Sequence, residues 1–180
     1  GPAGTGKTYM ACWKAVEMLR SGKVKKIILT RPLHECGEEM GFMPGDAWEK
    51  TVDMMAPLLE SLDEFLGYGE LEEMKKNGTL LVVPLAKMRG RTIKNSIIIL
   101  DEAQNASFKQ IKMFVTRFGN KAKMIVCGDH TQSDLPYSGM NSLYETVLRF
   151  KSDLHRSVSV IEMKREDIVR DELVRWFDEV

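Results

Sequence analysis

Short apolar runs rich in β-branched residues alternate along this chain with segments whose apolar positions recur every three or four residues. That pattern predicts strands alternating with helices. Lys26 to Thr30 (KIILT), Thr79 to Val83, Ser96 to Leu100, Lys123 to Cys127 and Val158 to Met163 read as strands. Their apolar residues run on without polar alternation, which implies burial on both faces, as in a parallel sheet covered by helices. Among the helical segments, Thr8 to Ser21 stops at Gly22, a C-terminal glycine signal. Asp46 with Glu49 forms a capping-box pattern ahead of the stripe Trp48, Val52, Met55, Leu59, Leu62 and Leu66, bent or restarted at Pro57. Ser107 with Gln110 repeats the box ahead of Phe108, Ile111, Val115 and Phe118. Asn141 to Phe150 and Asp167 to Val180 complete the set, and Trp13, Trp48 and Trp176 fall on apolar stripes that place them in the core. The expectation is a single doubly wound α/β domain over residues 1–180.

Composition narrows the function without naming it. At 180 residues and 43% apolar content the chain suffices for one compact core. Twenty-six basic residues balance twenty-six acidic ones, so no net field draws the whole molecule to a polyanion or membrane, and any such site is local. Cys12, Cys36 and Cys127 are odd in number and form no C-x-x-C pair, and His34, His130 and His155 add no ligand-spaced cluster. This reads as reduced thiols in a cytosolic setting and no zinc. No apolar run approaches the roughly 20 residues of a membrane span.

Specific chemistry starts at the first residue. Gly1, Pro2, Ala3, Gly4, Thr5, Gly6, Lys7 and Thr8 satisfy the phosphate-binding pattern G-x-x-x-x-G-K-[ST] at every required position. The glycines let the backbone aim successive N–H groups at phosphate oxygens, and the helix opening near Lys7 adds its positive dipole end. Lys7 is then placed to neutralise terminal phosphates and Thr8 to ligate Mg²⁺. The competing reading, a Gly-rich helix entry with a surface lysine, explains less of the match. A loop of this kind normally follows a buried central strand. Nothing precedes Gly1, so the expectation is a piece of a longer polypeptide whose upstream residues supply that strand and the contacts to adenine.

Two further motifs follow predicted strands. In IIILDEAQ, Asp101 is placed to hold the Mg²⁺ shell and Glu102 to accept a proton from an attacking water; a DE pair that merely caps a helix is the alternative. In MIVCGDHTQ, Asp129 and Gln132 follow the next strand. Gln132 suits hydrogen bonding to a terminal phosphate or to the water, although a Gly-Asp turn explains the motif taken alone. His130 reads as a turn residue and Cys127 as a small buried one. Lys87 to Lys94 (KMRGRTIK) carries Lys87, Arg89, Arg91 and Lys94 without an acid. It is either a grip on a phosphate backbone or a neighbour's nucleotide, or a solvated basic turn.

Taken together, GPAGTGKT, LTRP with GFMPGD, MRGRT, ILDEAQN, KMFVTRFG, GDHTQSDLP and EDIVRDELV resemble the PhoH family of P-loop ATPases, over nearly the whole chain. The resemblance implies a RecA-like core similar to the first half of superfamily-one helicases. It implies an ATPase using ATP and Mg²⁺, cytoplasmic, acting on or near single-stranded RNA or other nucleic acid. It places the phosphate loop on Gly1 to Thr8, the metal and base carboxylates on Asp101 and Glu102, and a sensor on Gln132. Ser133, and Met54 to Pro57, depart from the family pattern without removing any of these groups. Superfamily-one helicases also carry an arginine finger on a second RecA-like domain, for which 180 residues leave no room. A neighbour in a homo-oligomeric ring is therefore expected to supply it, from Arg89, Arg91, Arg117, Arg165 or, first in rank, Arg170 in the DIVR block. A P-loop kinase of a small molecule and an ATP-binding interaction module with little turnover are the alternatives. Glu102 beside Asp101 together with the GDxxQ element favours the ATPase.

Overall fold

The computed structural model of the chain describes residues 1–32, 54–129, 142–152 and 157–169. Four strands, β1 (Lys26–Thr30), β2 (Leu80–Val82), β3 (Ser96–Leu100) and β4 (Lys123–Val126), form a wholly parallel sheet in the order β2-β1-β3-β4. Thr30 pairs with Leu100, and Leu100 with Val126. The carboxyl ends of β1, β3 and β4 therefore finish level, and whatever follows each of them emerges at one edge.

Side-chain alternation divides the core in two. Ile97 and Ile99 join Ile27, Leu29 and Leu80 beneath α1 (Lys7–Arg20), α2 (Ala56–Leu66) and α3 (Tyr68–Lys76). Ile98 and Leu100 join Ile28 on the opposite face, under α4 (Phe108–Val115), α5 (Ser142–Ser152) and a 3₁₀ turn at Leu85–Met88. This is the doubly wound α/β arrangement that the unalternated strands predict.

One expected strand is absent. Residues 158–163 run as irregular chain, with Ile161 85% exposed. Strand-prone sequence becomes a strand only where a neighbour completes its ladder. Among the described residues β4 is paired on its β3 side alone, and nothing is hydrogen-bonded as a strand to its other edge.

The helices start and stop for local reasons. Pro57 lies in the first turn of α2, where its missing N–H costs nothing, so it opens the helix rather than bending it. The Asp46 and Glu49 box, Trp48 and Val52 lie outside the described residues. Gly67, at φ 83° and ψ 149°, separates α2 from α3. The sequence pattern did not predict α3, because YGELEEMKK buries only Leu71 and Met74, too narrow a stripe to stand out. On α1 the buried face is Ala11, Cys12, Ala15 and Val16. Position 13 falls off that face, which leaves Trp13 46% exposed rather than in the core. Trp176 lies outside the described residues, as does the expected last helix from residue 170 on; its first residue, Asp167, closes a 3₁₀ turn at Arg165–Asp167.

The Ser107 capping box of α4 forms as expected: the Ser107 hydroxyl accepts from the Gln110 N–H and the Gln110 side chain accepts from the Ser107 N–H. The stripe differs, because Ile111 and Phe114 are the buried residues and Phe118, beyond the helix end, is 56% exposed. Phe114→Ala is expected to destabilise the domain by about 3–5 kcal/mol. Phe118→Ala should stay within about 0.5 kcal/mol of the parent. Urea unfolding of the two variants checks the assignment, and equal losses would refute it.

Candidate functional site

The phosphate-loop motif folds as its glycines require. Gly4 and Gly6 adopt φ of 76° and 79°, and Gly6 is the residue from which α1 springs. The Thr5 hydroxyl donates to the Pro2 carbonyl at 2.8 Å, which closes the loop on itself. The Lys7 ammonium lies across its mouth, donating to the carbonyls of Gly1 at 2.5 Å and Pro2 at 2.6 Å. The Gly1 nitrogen donates to the Gly128 carbonyl at 3.0 Å, so the loop begins beside the chain that leaves β4.

Asp101 is the first residue after β3 and is buried. Its carboxylate accepts the Thr8 hydroxyl at 3.0 Å, joining residues 93 positions apart. Burial pushes the Asp101 carboxyl above the ordinary carboxylate range and the neighbouring Glu102 adds to this, while Arg31 and the Thr8 hydroxyl oppose it. A hydroxyl and a desolvated carboxylate side by side are hard oxygen donors, and they fit a Mg²⁺ ion, whose charge would offset the cost of burying Asp101.

Glu102 turns the chain with a left-handed φ of 50°. Its Oε1 accepts from Arg31 Nη2 at 2.9 Å and its Oε2 accepts from the Gln104 amide. Gln104 Oε1 in turn accepts the Asp129 N–H at 3.0 Å. Arg31 also donates from Nη1 to the Met54 carbonyl at 2.7 Å, ahead of α2. Gly128 has to be glycine, since a Cβ there would come within 2.5 Å of Leu143 Cδ2 and 2.8 Å of Gln104 Oε1. The loops after β1, β3 and β4 are thus tied together by side chains.

These residues enclose a cleft of about 640 Å³. Lys7, Thr8, Arg31, Asp101 and Glu102 line one side, and Pro57, Ser61 and Glu64 of α2 line another. The Val169 N–H donates to the Gly4 carbonyl at 3.2 Å, which brings the end of the described chain against the phosphate loop.

The phosphate-loop residues Gly4, Gly6, Lys7 and Thr8 line this cleft together with Asp101, Glu102 and Asp129. Gln132, His130 and Arg170 lie outside the described residues. Arg89, Arg91, Arg117 and Arg165 do not line the cleft. Motif reading quoted Arg31 in LTRP and Gln104 in ILDEAQN but gave neither a role. Arg31 brings an arginine into the chain's own cleft beside the one expected from a neighbour. Its signal was positional, since it directly follows a strand whose end is level with that of β3. Cys127, buried with its thiol pushed up to about 12, is the inert small residue its position suggests.

The family model described as PhoH-like protein matches residues 1–180. The chain belongs to the PhoH family. It is 47% identical over 174 residues to a PhoH-like protein of Bacillus subtilis, covering 97% of this chain and 54% of the relative. A PhoH-like protein of Mycobacterium tuberculosis is 44% identical over 176 residues, covering 97% of this chain and 49% of the relative. Protein PhoH of Escherichia coli is 40% identical over 175 residues, covering 96% and 49%. The chain thus spans about half the length of the curated relatives it matches. PhoH proteins form a P-loop NTPase-type family, and the parallel sheet with its phosphate loop is that architecture. No helix among the described residues of this PhoH domain is long and apolar enough to cross a membrane.

The raised Asp101 carboxyl has a consequence for stability. When the folded pKa exceeds the unfolded one, the folded chain binds more protons between the two values, so this group's contribution to stability falls as pH rises through that interval. Asp101→Asn keeps an oxygen for Thr8 and carries no charge. It is expected to raise the Tm of the metal-free domain near neutral pH, each kcal/mol recovered showing as roughly 2–4 °C. It should also flatten the decline that the parent shows as pH climbs from the carboxylate range. Thermal melts across pH check both, and a lower Tm for Asp101→Asn would refute the account.

Proposed function

We propose that this PhoH domain binds and hydrolyses ATP and couples the hydrolysis to action on RNA or another nucleic acid. The observation that carries the reading is the Thr8–Asp101 hydrogen bond at 3.0 Å, which puts phosphate loop, metal-binding oxygens and Glu102 in one cleft. In this reading the loop N–H groups and Lys7 hold the phosphates, and Lys7 exchanges its two carbonyl partners for phosphate oxygens. Mg²⁺ held by Thr8 and Asp101 supplies charge neutralisation at the phosphate oxygens. Glu102 takes the proton of the attacking water. Gln132 is assigned to hydrogen bonding at the terminal phosphate, the role its motif implies. The kinase reading is less favoured, because Glu102 beside Asp101, together with the GDxxQ element, suits attack by water.

The nucleic-acid half of the proposal rests on the basic turn. Lys87, Arg89, Arg91 and Lys94 are all exposed and none forms an ion pair among the described residues. A patch of free cations suits a phosphate backbone.

Lys7→Ala is expected to lose nucleotide binding and turnover in the full-length protein while keeping the fold. Glu102→Gln should bind ATP and lose roughly 10²–10⁴-fold in kcat, the usual contribution of a general base. Near-parental turnover by Glu102→Gln would remove Glu102 from its role. Replacing Arg89 and Arg91 with alanine should leave basal ATPase intact and weaken single-stranded RNA binding, with a shallower dependence of affinity on salt. ATPase assays with and without single-stranded RNA, alongside RNA titrations at two salt concentrations, decide the matter. Unchanged RNA affinity would send the search for the interface elsewhere.

A further inference from the structure

Arg31 lies in the LTRP block, to which the motif reading assigned no role. It follows β1 directly, and its side chain is 20% exposed. Among the described residues its guanidinium has two partners. Nη2 holds Glu102 Oε1 at 2.9 Å, and Nη1 holds the Met54 carbonyl at 2.7 Å. Glu102 Oε2 is meanwhile held by Gln104, a buried side chain itself fixed by the Asp129 N–H at 3.0 Å. Both oxygens of the carboxylate are engaged, so Arg31 and Gln104 fix its orientation, and a water reaches only the lone pairs they leave over until one partner lets go.

The two partners differ in freedom. Gln104 is locked between β3 and β4, and Gly128 packs against it too closely to admit even a methyl group. Arg31 stands at the cleft wall with Lys7 and Thr8. Its charge acts on Asp101, the residue hydrogen-bonded to Thr8, so the guanidinium lies within electrostatic reach of the proposed metal position. A guanidinium is a planar fork matched to carboxylate and phosphate alike, and a doubly charged terminal phosphate outcompetes a single carboxylate for it.

We propose that Arg31 discriminates triphosphate from diphosphate: it leaves Glu102 for the terminal phosphate of a bound nucleoside triphosphate, and this exchange frees Glu102 for the water. The inference rests on the nucleotide-binding reading above. It assigns to the chain itself an arginine at the terminal phosphate. With a diphosphate bound there is no competitor, and Glu102 stays held.

The test is titration of the full-length protein, with Mg²⁺, against a non-hydrolysable ATP analogue and against ADP. Arg31→Gln removes the charge yet can still donate to the Met54 carbonyl. It should weaken the analogue by roughly ten- to hundredfold, the ordinary worth of hydrogen bonds to charged groups. ADP affinity should not change. Glu102→Gln removes the competitor for the guanidinium and should tighten the analogue several-fold, again without affecting ADP. That second arm decides alone if Arg31→Gln does not fold. Equal losses of analogue and ADP would make Arg31 a structural residue and overturn the proposal, as would parental discrimination in both variants. Failure of the parent to bind either nucleotide would instead overturn the nucleotide-binding reading itself.

Discussion

The burial of β3 is the constraint on which the rest depends. All five of its residues are buried, with β1 and β4 on its edges and a helical layer on each face. A strand encased in this way cannot shift register without moving both cores, because a one-residue slip exchanges the faces of every side chain. Its carboxyl end is therefore a fixed point. Asp101 leaves that point already desolvated, and the chain must turn sharply at Glu102 to escape the sheet, which is why Glu102 takes a left-handed conformation uncommon outside glycine and asparagine. The strain of that turn is held in place by Arg31 and Gln104 gripping the side chain from either side.

The electrostatics of the cleft follow from the same geometry. Lys7 and Arg31 face Glu64, Asp101, Glu102 and Asp129, so the side chains alone give the cleft an excess of acid. An anionic ligand therefore enters on the strength of the loop's backbone N–H groups and the α1 dipole rather than on net side-chain charge. On the proposed reading, a divalent cation accompanying the ligand would offset the repulsion from Asp101 and the cost of burying its charge, which would link ligand and metal through one desolvated carboxylate.

Sequence made much of this visible, and the parts it hid have physical reasons. Strands β1 and β3 were legible because burial on both faces makes them almost wholly apolar, whereas β4, exposed at both ends, was legible only from its short apolar run. The phosphate loop and the DE pair were legible because their chemistry needs fixed spacing along the chain. Arg31 and Gln104 act across loops, through contacts 71 and 25 residues away in sequence, Arg31 on Glu102 and Gln104 on Asp129. Local patterning carries no trace of such pairs. Phe114, Trp13 and Phe118 show the other limit: periodicity finds a stripe, but the phase of the stripe depends on which face the sheet covers. Residues 158–163 show a third, since β propensity describes what a segment will do beside a partner and is silent on whether one is there.

The hydrogen bonds among the three loops also say how a signal travels in this domain. Met54 ahead of α2, Arg31 after β1, Glu102 and Gln104 after β3, and Asp129 after β4 form one continuous chain of donors and acceptors. Its members differ in rigidity. Gln104 and Asp129 are buried, and Gln104 lies close against Gly128. Arg31 and Glu102 face the cleft, and Arg31 is anchored to the segment that opens α2, whose Pro57, Ser61 and Glu64 form the cleft's other wall. A rigid half joined to an adjustable half is the arrangement in which a ligand's differential contacts bias one element without unsettling the core. In the proposed exchange a ligand that fills the cleft would meet Arg31 and α2 together, and the response of Glu102 would turn on its ion pair with Arg31, the adjustable one of its two partners.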